Sequence, residues 1–348
     1  MSSFATQLDT LLAEYDREIM PATPVQIKAA LDVRHAAVYE RTATVRLLAD
    51  LHLSWEDKRI SWNATEWGCD SSLASADRLW LPDVGILSVG TLESEDDNNL
   101  RARLSNDGRI SWILRLDISS PITLQLTNWP RDQQVVFFKF GSRSHSTDEM
   151  QLQISDLQHA TVFESGAWEL LRVRGTEASW DGSGVERRVV TWSVTLQRRA
   201  AAHALAATTV FTASVLLLIA ATFLPPATRL PLCAASATTA SLWLISALVR
   251  IPGASSVPRA MSLLSTTCVC AGVAAACSAM VIRVARCTEP PPQVLRSLVT
   301  AASNIIKLTP PEGSQAECSA WAAAAKLLDY LLLALLLFTL TVVVCIYL

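Results

Sequence analysis

Four apolar runs in the second half of the chain constrain its fold more than any other feature. Each has about the 20 residues that a helix needs to cross the roughly 30 Å hydrocarbon core of a bilayer. The last run, YLLLALLLFTLTVVVCIYL, contains no charged residue. We therefore expect residues 200–348 to form an all-α membrane domain with four spanning helices, at about 201–224, 230–249, 260–282 and 325–348.

The first 199 residues follow a different pattern. Apolar and polar side chains alternate along several stretches, among them 47–55, 110–116 and 190–196, and Gly, Asn, Asp and Pro separate these stretches. Alternation with period two is typical of half-buried strands, and many short strands between turns are typical of an antiparallel β-sandwich. The apolar spacing in residues 4–15 predicts a short helix before the sandwich. We therefore expect a β-sandwich over residues 1–199.

Composition narrows the classes of function. A net charge of −3 offers no basic face for nucleic acid. The five histidines show no metal-ligand or nucleophile–base spacing, so the sequence predicts neither an enzyme nor a metal or cofactor site. Only Cys69 of the eight cysteines precedes the membrane runs, which rules out a disulfide within the sandwich.

Two short signals concern the cellular location. The opening segment lacks the apolar region of a signal peptide, so either a signal has been removed from this numbering or the first domain stays inside the cell. Asn63-Ala64-Thr65 fits the N-glycosylation pattern and makes Asn63 a candidate acceptor. So short a pattern also occurs by chance.

Three blocks of sequence precede the apolar runs in a fixed order: WEDKRISWN at 55–63, RLWLPDVGIL at 78–87, and LDISSPITLQLTNWPRDQQVVFFKFGS at 116–142. They resemble the WxDxRLxWN, WxPD and FPFDxQ blocks of the Cys-loop receptors, the pentameric ligand-gated ion channels, and the nicotinic-like branch is the most similar. One block alone would be a weak signal, but three in register before four membrane runs are specific.

The resemblance implies an architecture and a set of partners. The β-sandwich would be an extracellular ligand-binding domain, the second membrane helix would line a pore, and residues 283–320 would form a short cytoplasmic link. The protein would be a multi-pass subunit in the plasma membrane, assembled as a homo- or hetero-pentamer. Its other partners would be a small-molecule ligand, membrane lipids and permeant ions.

The chain departs from the family at the disulfide that gives the family its name. Counted from Trp129-Pro130-Arg131-Asp132, the two family cysteines fall at Ile122 and Val136. We expect these two apolar side chains to pack against each other instead. Val210 lies near the position of the proline in the family's first membrane helix.

The ligand site departs further. Nicotinic-like receptors hold a cationic amine in an aromatic cage by cation–π attraction. Counted from the matched blocks, Asp50, Leu87 and Arg143 replace the cage residues Trp, Tyr and Trp, and the capping segment offers Trp180. Acetylcholine is therefore not the expected agonist. Arg143 either binds a ligand carboxylate bidentately or pairs with Asp50 or another acid of the chain.

A second set of residues is predicted to couple the ligand site to the membrane. The resemblance places Glu40, Asp132 and Arg198 in an electrostatic cluster at the base of the sandwich. In the alternative interpretation, all three are ordinary exposed charges.

The pore-lining face follows from helical spacing if Arg229 marks the cytoplasmic end of the second membrane helix. The residues of this face are Pro231, Ala235, Thr238, Leu242, Ile245 and Val249. A slip of one residue gives the alternative face, which comprises Leu232, Ser236, Thr239, Trp243 and Arg250. Leu242 and Ile245 would suit a gate that closes by dewetting.

The sequence signals for ion selectivity conflict. The first domain resembles cation-channel members, whereas Pro226-Ala227-Thr228-Arg229 resembles the Pro-Ala-Arg turn of anion-selective members. No acidic residue lies between Thr222 and Thr288, and acidic rings are what concentrate cations in such pores. We therefore expect anion passage.

Two other functions remain open. A non-conducting accessory subunit would explain the altered cage and the uncharged pore helix. A membrane-anchored binding or sensor module without a pore would use the sandwich alone.

Overall fold

The computed structural model describes residues 2–88, 91–94, 101–155, 166–182, 184–251, 256–287, 292–293, 297 and 316–347. The chain divides into two compact units. We call them the sandwich unit, residues 1–125 and 131–199, and the helical unit, residues 126–130 and 200–348.

The sandwich unit begins with helix α1 (Ser2–Ala13), and a second, short α-helix, α2, follows at Ala64–Trp67. Its strands are β1 (Val25–Tyr39), β2 (Thr44–Glu56), β3 (Ser71–Ser75), β4 (Val84–Ile86), β5 (Thr91–Ser94), β6 (Arg101–Ser105), β7 (Arg109–Pro121), β8 (Gln133–Ser142), β9 (Met150–Ile154), β10 (Trp168–Gly182) and β11 (Val185–Arg198).

These strands form two sheets. The first sheet has seven strands in the order β3-β6-β7-β2-β1-β9, with β5 paired to β7, and the second has four in the order β10-β11-β8-β4. Neighbouring strands are antiparallel except β1 and β9, which run parallel. The predicted antiparallel β-sandwich is therefore confirmed, with one parallel edge.

Period-two burial builds the core between the sheets. Strand β2 alternates buried and more exposed residues along most of its length, because successive side chains of a strand point to opposite faces. Leu47, Leu51 and Trp55 on β2 are at most 2% exposed, as are Phe138 and Phe140 on β8. The apolar residues of the alternating pattern are therefore the residues that the fold buries.

The WEDKRISWN block anchors the end of α1 to this core. Asp57 is completely buried and accepts hydrogen bonds from the Tyr15 hydroxyl at 2.9 Å and from Arg59 Nη2 at 2.7 Å. Tyr15 in turn accepts a hydrogen bond from the Trp80 amide. Burial raises the pKa of Tyr15 to about 12. Asp57 and Arg59 of this block therefore have a structural role.

Within its described residues, the helical unit has four helices that are long and apolar enough to span a membrane. They are α3 (Ala201–Thr222), α4 (Pro226–Arg250), α5 (Arg259–Ala285) and α6 (Ala316–Tyr347). The all-α domain after the sandwich is thereby confirmed.

Two helices begin earlier than their apolar runs. Helix α4 starts at Pro226 rather than near residue 230, because a proline is tolerated in the first turn, where the amide has no partner. Helix α6 starts at Ala316 rather than near residue 325, because residues 322–325 are all alanine, the strongest helix former. A hydropathy profile alone shows neither the tolerance of proline in the first turn nor the helix propensity of alanine.

Small residues let the four helices approach closely. One buried cluster includes Leu218, Ala221, Cys233, Ala271 and Leu336. Ser236 is fully buried on α4, and its hydroxyl donates to the Ser214 carbonyl of α3 at 2.9 Å. Small and hydroxyl residues are typical of helix contacts in membranes.

The short segment 126–130 packs within the helical unit. The Trp129 ring lies 5.8 Å from the Trp243 ring and 6.5 Å from the His203 ring, measured between centroids. The Arg259 amide donates to the Thr127 carbonyl at 3.0 Å. A single boundary at residue 199 therefore does not assign this segment to the helical unit. Most of the cytoplasmic link expected at 283–320 lies outside the described residues.

Candidate functional site

Three of the four predicted ligand-site residues lie at one end of the second sheet. The Leu87 amide, just after β4, donates to the Lys139 carbonyl of β8 at 2.7 Å. Arg143, just after β8, donates from Nη2 to the Ile86 carbonyl at 3.4 Å. Lys139 Nζ lies 5.9 Å from the centre of the Trp180 ring on β10. The fold thus gathers Leu87, Arg143 and Trp180 around the end of β8.

A glycine makes room for this arrangement. Gly85 of β4 and Gly141 of β8 face each other in the sheet. A Cβ atom at Gly141 would lie 2.9 Å from Leu87 Cδ1, so any larger residue there would displace Leu87. Gly141 is therefore part of what positions the Leu87 side chain.

Asp83 fixes the turn that carries Arg143. Its carboxylate accepts from Ser142 Oγ at 2.6 Å, from the Ser144 amide at 3.0 Å and from His145 Nδ1 at 2.9 Å. Burial raises the pKa of Asp83, but these hydrogen bonds outweigh burial and hold it below its ordinary value. Apart from its place as the last residue of the WxPD block, no feature of the sequence indicates this role for Asp83.

Asp50 lies on the other sheet and has its own partners. It is 3% exposed, and its carboxylate lies 2.5 Å from Arg34 Nη2 and 3.5 Å from Arg115 Nε. The structure therefore pairs Asp50 with these arginines and not with Arg143, which was one of the open interpretations. The Arg143 side chain is exposed. The strand registers that bring Arg34 and Arg115 to Asp50 cannot be read from local sequence.

The three predicted coupling residues form one cluster in the sandwich unit. Arg198 binds Asp132 twice, with Nε 2.6 Å from Oδ1 and Nη2 3.1 Å from Oδ2, and its Nη1 donates to Glu40. The guanidinium also lies 4.5 Å from the centre of the Trp168 ring. Burial lowers the pKa of Arg198, but the hydrogen bonds to both carboxylates raise it above its ordinary value. The interpretation of three exposed charges does not fit Asp132 and Arg198, whose side chains are 1% and 9% exposed.

The loop that lacks the family disulfide is closed by an amide. Val136 is buried and Ile122 is half-buried. Gln134 Nε2 donates to the Gln125 carbonyl at 3.0 Å, and Gln134 Oε1 accepts from the Gln125 amide at 3.0 Å. Gln134 Nε2 also donates to Asp132 at 2.7 Å. We call these three hydrogen bonds of Gln134 the clasp. No local sequence pattern predicts it.

The six residues of the predicted α4 face are all exposed in the single chain. They are Pro231, Ala235, Thr238, Leu242, Ile245 and Val249. In the alternative register, Ser236 is buried against α3 and Trp243 packs on Trp129. The side of α4 in the first register is therefore the one left open by the helical unit.

Arg229 does not lie on that open face. It is 6% exposed, Nη2 lies 2.8 Å from Asp329 Oδ2 on α6, and Nη1 donates to the other carboxylate oxygen. Its charge is therefore paired inside the helical unit, and its use as the marker of the cytoplasmic end of α4 stays a prediction. The sequence hid this pairing, since Asp329 is 100 residues away.

Two smaller predictions can be located. Asn63 is exposed and caps α2, where its side-chain oxygen accepts from the Thr65 amide at 3.1 Å. Glycosylation of Asn63 remains a prediction. Among the residues that the structure describes, no three His, Cys, Asp or Glu side chains are placed to hold a metal ion.

Comparison with known proteins connects this geometry to a family. Residues 5–200 match the family described as neurotransmitter-gated ion-channel ligand binding domain. The chain is 26% identical over 202 residues to the acetylcholine receptor subunit alpha-type acr-15 of Caenorhabditis elegans, covering 55% of this chain and 42% of that protein. It is 27% identical over 192 residues to the human 5-hydroxytryptamine receptor 3E, covering 51% and 42%.

A third relative, the neuronal acetylcholine receptor subunit beta-3 of Gallus gallus, is 28% identical over 151 residues, which cover 42% of this chain and 33% of that one. The chain thus spans less than half the length of these curated relatives. The family match nevertheless covers more than half of this chain, and the described residues add the sandwich and the four apolar helices. The chain belongs to the neurotransmitter-gated ion-channel family, the Cys-loop receptors, as a member without the cysteine pair of the loop.

Proposed function

We propose that the chain is a subunit of a pentameric ligand-gated ion channel. The observation that carries this proposal is the open face of α4. A helix long enough to cross a membrane leaves one uncharged side unpacked, including Thr238, Leu242 and Ile245. Head-to-tail association about a cyclic axis would bring copies of this face together around a pore.

The family fixes the cellular setting. Its members are receptors of the plasma membrane rather than enzymes, with the ligand-binding domain outside the cell and the apolar helices after it. The chain is accordingly a plasma-membrane protein. We propose that residues 1–199 form its extracellular domain, 200–348 its membrane domain, and 283–320 a short cytoplasmic link.

The proposed agonist carries a carboxylate and is not acetylcholine. Arg143 is exposed and has only a long 3.4 Å bond to the Ile86 carbonyl among its described contacts, so its guanidinium can bind a carboxylate bidentately. Asp50 is nearly buried between two arginines and cannot offer a free charge to a cationic amine. Leu87 provides no ring for cation–π attraction.

Current recordings test the ligand proposal. Wild-type protein and Arg143→Ala would be expressed in oocytes and exposed to a panel of small carboxylates and to acetylcholine. We expect a carboxylate to open the wild-type channel and Arg143→Ala to need at least about tenfold more of it, the loss of roughly 1.5 to 3 kcal/mol for a charged hydrogen bond. Arg174→Ala, an exposed arginine on β10 of the same sheet, is the control and should behave as wild type. Opening by acetylcholine, or an unchanged response in Arg143→Ala, would contradict the proposal.

A non-conducting accessory subunit is the second candidate. The observation in its favour is the apolar upper half of the open α4 face, where Leu242, Ile245 and Val249 would oppose water and ions. Expression alone and with a conducting family member separates the two functions. Current from the chain alone excludes the accessory role.

A further inference from the structure

The outward face of the four-stranded sheet carries a small patch of mixed character, which we call the outer patch. It takes one residue from each of three adjacent strands in each of two neighbouring rows. The first row is Val135 on β8, Thr195 on β11 and Arg172 on β10, and the second row is Phe137, Ser193 and Arg174.

The alternation of the strands turns both rows away from the core. Val136 and Val194 lie opposite each other between the two rows. Their side chains are 4% and 1% exposed, and successive residues of a strand point to opposite faces of a sheet. The outer patch therefore faces outward from the sandwich.

The two arginines of the outer patch carry positive charges that the chain does not neutralise. Both side chains are exposed, and within the part of the chain that the structure describes neither guanidinium makes a hydrogen bond or an ion pair. Two acids of β10 serve other arginines: Glu177 lies 3.1 Å from Arg188, and Glu169 lies 3.9 Å from Arg199. The patch is therefore suited to an anionic ligand.

The other side of the outer patch is apolar. Phe137 is 61% exposed and Val135 is 51% exposed. They lie two strands away from the arginines, which is about 10 Å. Between them, Ser193 Oγ donates to the Arg174 carbonyl at 3.1 Å and keeps its lone pairs for accepting. Cations, hydroxyl acceptors and an apolar ring thus follow one another across the sheet.

The size of the outer patch limits what can occupy it. Three strands and two rows cover about 14 Å by 14 Å, or roughly 200 Å². A stable interface between folded proteins takes about 800 Å² from each partner. An extended peptide pairs with the main chain at the edge of a sheet, whereas side chains cover this face. A narrow chain that brings its own anionic groups fits the patch better.

We propose that the outer patch binds a linear sulfated polysaccharide. The sulfate groups accept hydrogen bonds from Arg172 and Arg174, because a guanidinium presents its N–H groups to an oxyanion in a planar fork. A sugar ring covers Phe137 with its apolar face, and a sugar hydroxyl donates to Ser193. Exposed basic patches are known to attract chains of this kind. The site is separate from the proposed agonist site and from the pore, and it depends on neither.

Binding can be measured without any channel current. Full-length protein would be placed in nanodiscs of phosphatidylcholine, whose headgroup has no net charge, and titrated against a short, fluorescein-labelled heparin fragment. Fluorescence anisotropy follows the complex. The first comparison ligand is the same fragment without its sulfate groups, which keeps the sugar rings and the carboxylates. The second is polyglutamate of similar length, which is anionic but has no ring.

We expect the heparin fragment to bind, and its binding to weaken as the salt concentration rises. Both comparison ligands, and the wild-type fragment with Arg172→Gln and Arg174→Gln combined, should bind at least about tenfold more weakly, the loss of a charged hydrogen bond. Phe137→Ser should weaken binding about fivefold, because the ring loses its apolar cover. The control combines Lys28→Gln with Arg101→Gln, which removes the same charge from exposed positions of the seven-stranded sheet, and it should bind as wild type.

Other outcomes would overturn the proposal. Equal weakening in the two double variants would mean a general effect of net charge. Wild-type affinity in Phe137→Ser, or equal binding of polyglutamate, would mean that an acidic polypeptide and not a sugar chain is recognised. Failure of the wild type to bind the fragment would equally contradict it. All substituted side chains are exposed, so thermal unfolding of every variant should match that of wild type.

Discussion

The side chain of Gln134 binds both main-chain groups of Gln125, at 3.0 Å each, and so closes the loop where the family's disulfide would be. Gln134 is 2% exposed, so these bonds are shielded from water. A disulfide closing a 15-residue loop is worth about 3 kcal/mol on the chain-entropy estimate. Three hydrogen bonds at about 0.5 to 1.5 kcal/mol each are of the same order.

Removal of this clasp should destabilise the sandwich unit. Gln134→Ala removes the bonds to Gln125 and Asp132, and we expect it to lower the free energy of unfolding by about 2 to 4 kcal/mol. Gln133→Ala, at the exposed neighbouring position, should have little effect. Thermal unfolding of the full chain measures both. Introducing Ile122→Cys and Val136→Cys into Gln134→Ala should restore most of the lost stability under oxidising conditions, and an unchanged Tm in Gln134→Ala would contradict the account.

The Arg198 cluster should depend more on Asp132 than on Glu40. Asp132 is almost fully buried and holds Arg198 through two hydrogen bonds, whereas the Glu40 side chain is 25% exposed and accepts one hydrogen bond from Arg198. Breaking a buried ion pair typically costs about 3 to 5 kcal/mol because the remaining charge stays buried. We expect Asp132→Ala to abolish or strongly reduce the folded protein at the cell surface and Glu40→Ala to reduce it less.

Surface labelling of intact cells measures this difference. Glu169→Ala is the control, since its carboxylate is exposed and lies 3.9 Å from Arg199. Equal losses in Asp132→Ala and Glu169→Ala would show that the cluster contributes nothing beyond ordinary surface charge.

Acid should weaken the turn that carries Arg143. The folded pKa of Asp83 lies below its ordinary value of 3.8. Its stabilisation is therefore fully present above pH 3.8 and is lost as the pH falls through the folded pKa. We expect Asp83→Asn to be less stable than wild type at pH 6, with the difference in stability shrinking as the pH falls below 3.8. A difference that stays constant with pH would contradict the assignment.

The open face of α4 should be accessible to water. In Thr238→Cys and Leu242→Cys, a charged methanethiosulfonate reagent should change the current during channel opening, because pore-facing residues contact water. Thr239→Cys is the matched neighbour on the half-buried side and should be unaffected, as should the wild type with its native cysteines. Modification of Thr239→Cys alone would favour the alternative register.

Arg229 should not set ion selectivity. Its charge is buried against Asp329, so Arg229→Gln with Asp329→Asn should fold and keep the reversal potential of wild type. We expect that potential to follow chloride, because no acidic residue lies along α4. A reversal potential that follows sodium, or that changes in the double variant, would contradict this expectation.

The fold could largely be predicted because local sequence patterns determine the secondary structure of each unit. Alternation along β2 and the apolar runs at α3 and α6 need no knowledge of distant residues. The start of α4 differs from the prediction because Pro226 lies outside the apolar run, yet proline is tolerated in the first turn of a helix.

The candidate sites were only partly predictable because their partners are distant in sequence. Local spacing predicts the α4 face, and the family resemblance predicts that Glu40, Asp132 and Arg198 form a cluster. The pairing of Arg229 with Asp329, of Asp50 with Arg34 and Arg115, and of Gln134 with the Gln125 main chain depends on helix packing and strand register. No local pattern encodes these contacts.

Electron microscopy of the purified protein in lipid nanodiscs would show directly whether the chain forms a pentameric pore. We expect five-fold rings in which α4 is the helix nearest the axis and its open face lines the central space. Monomers, dimers or rings of another symmetry would contradict a pentameric channel.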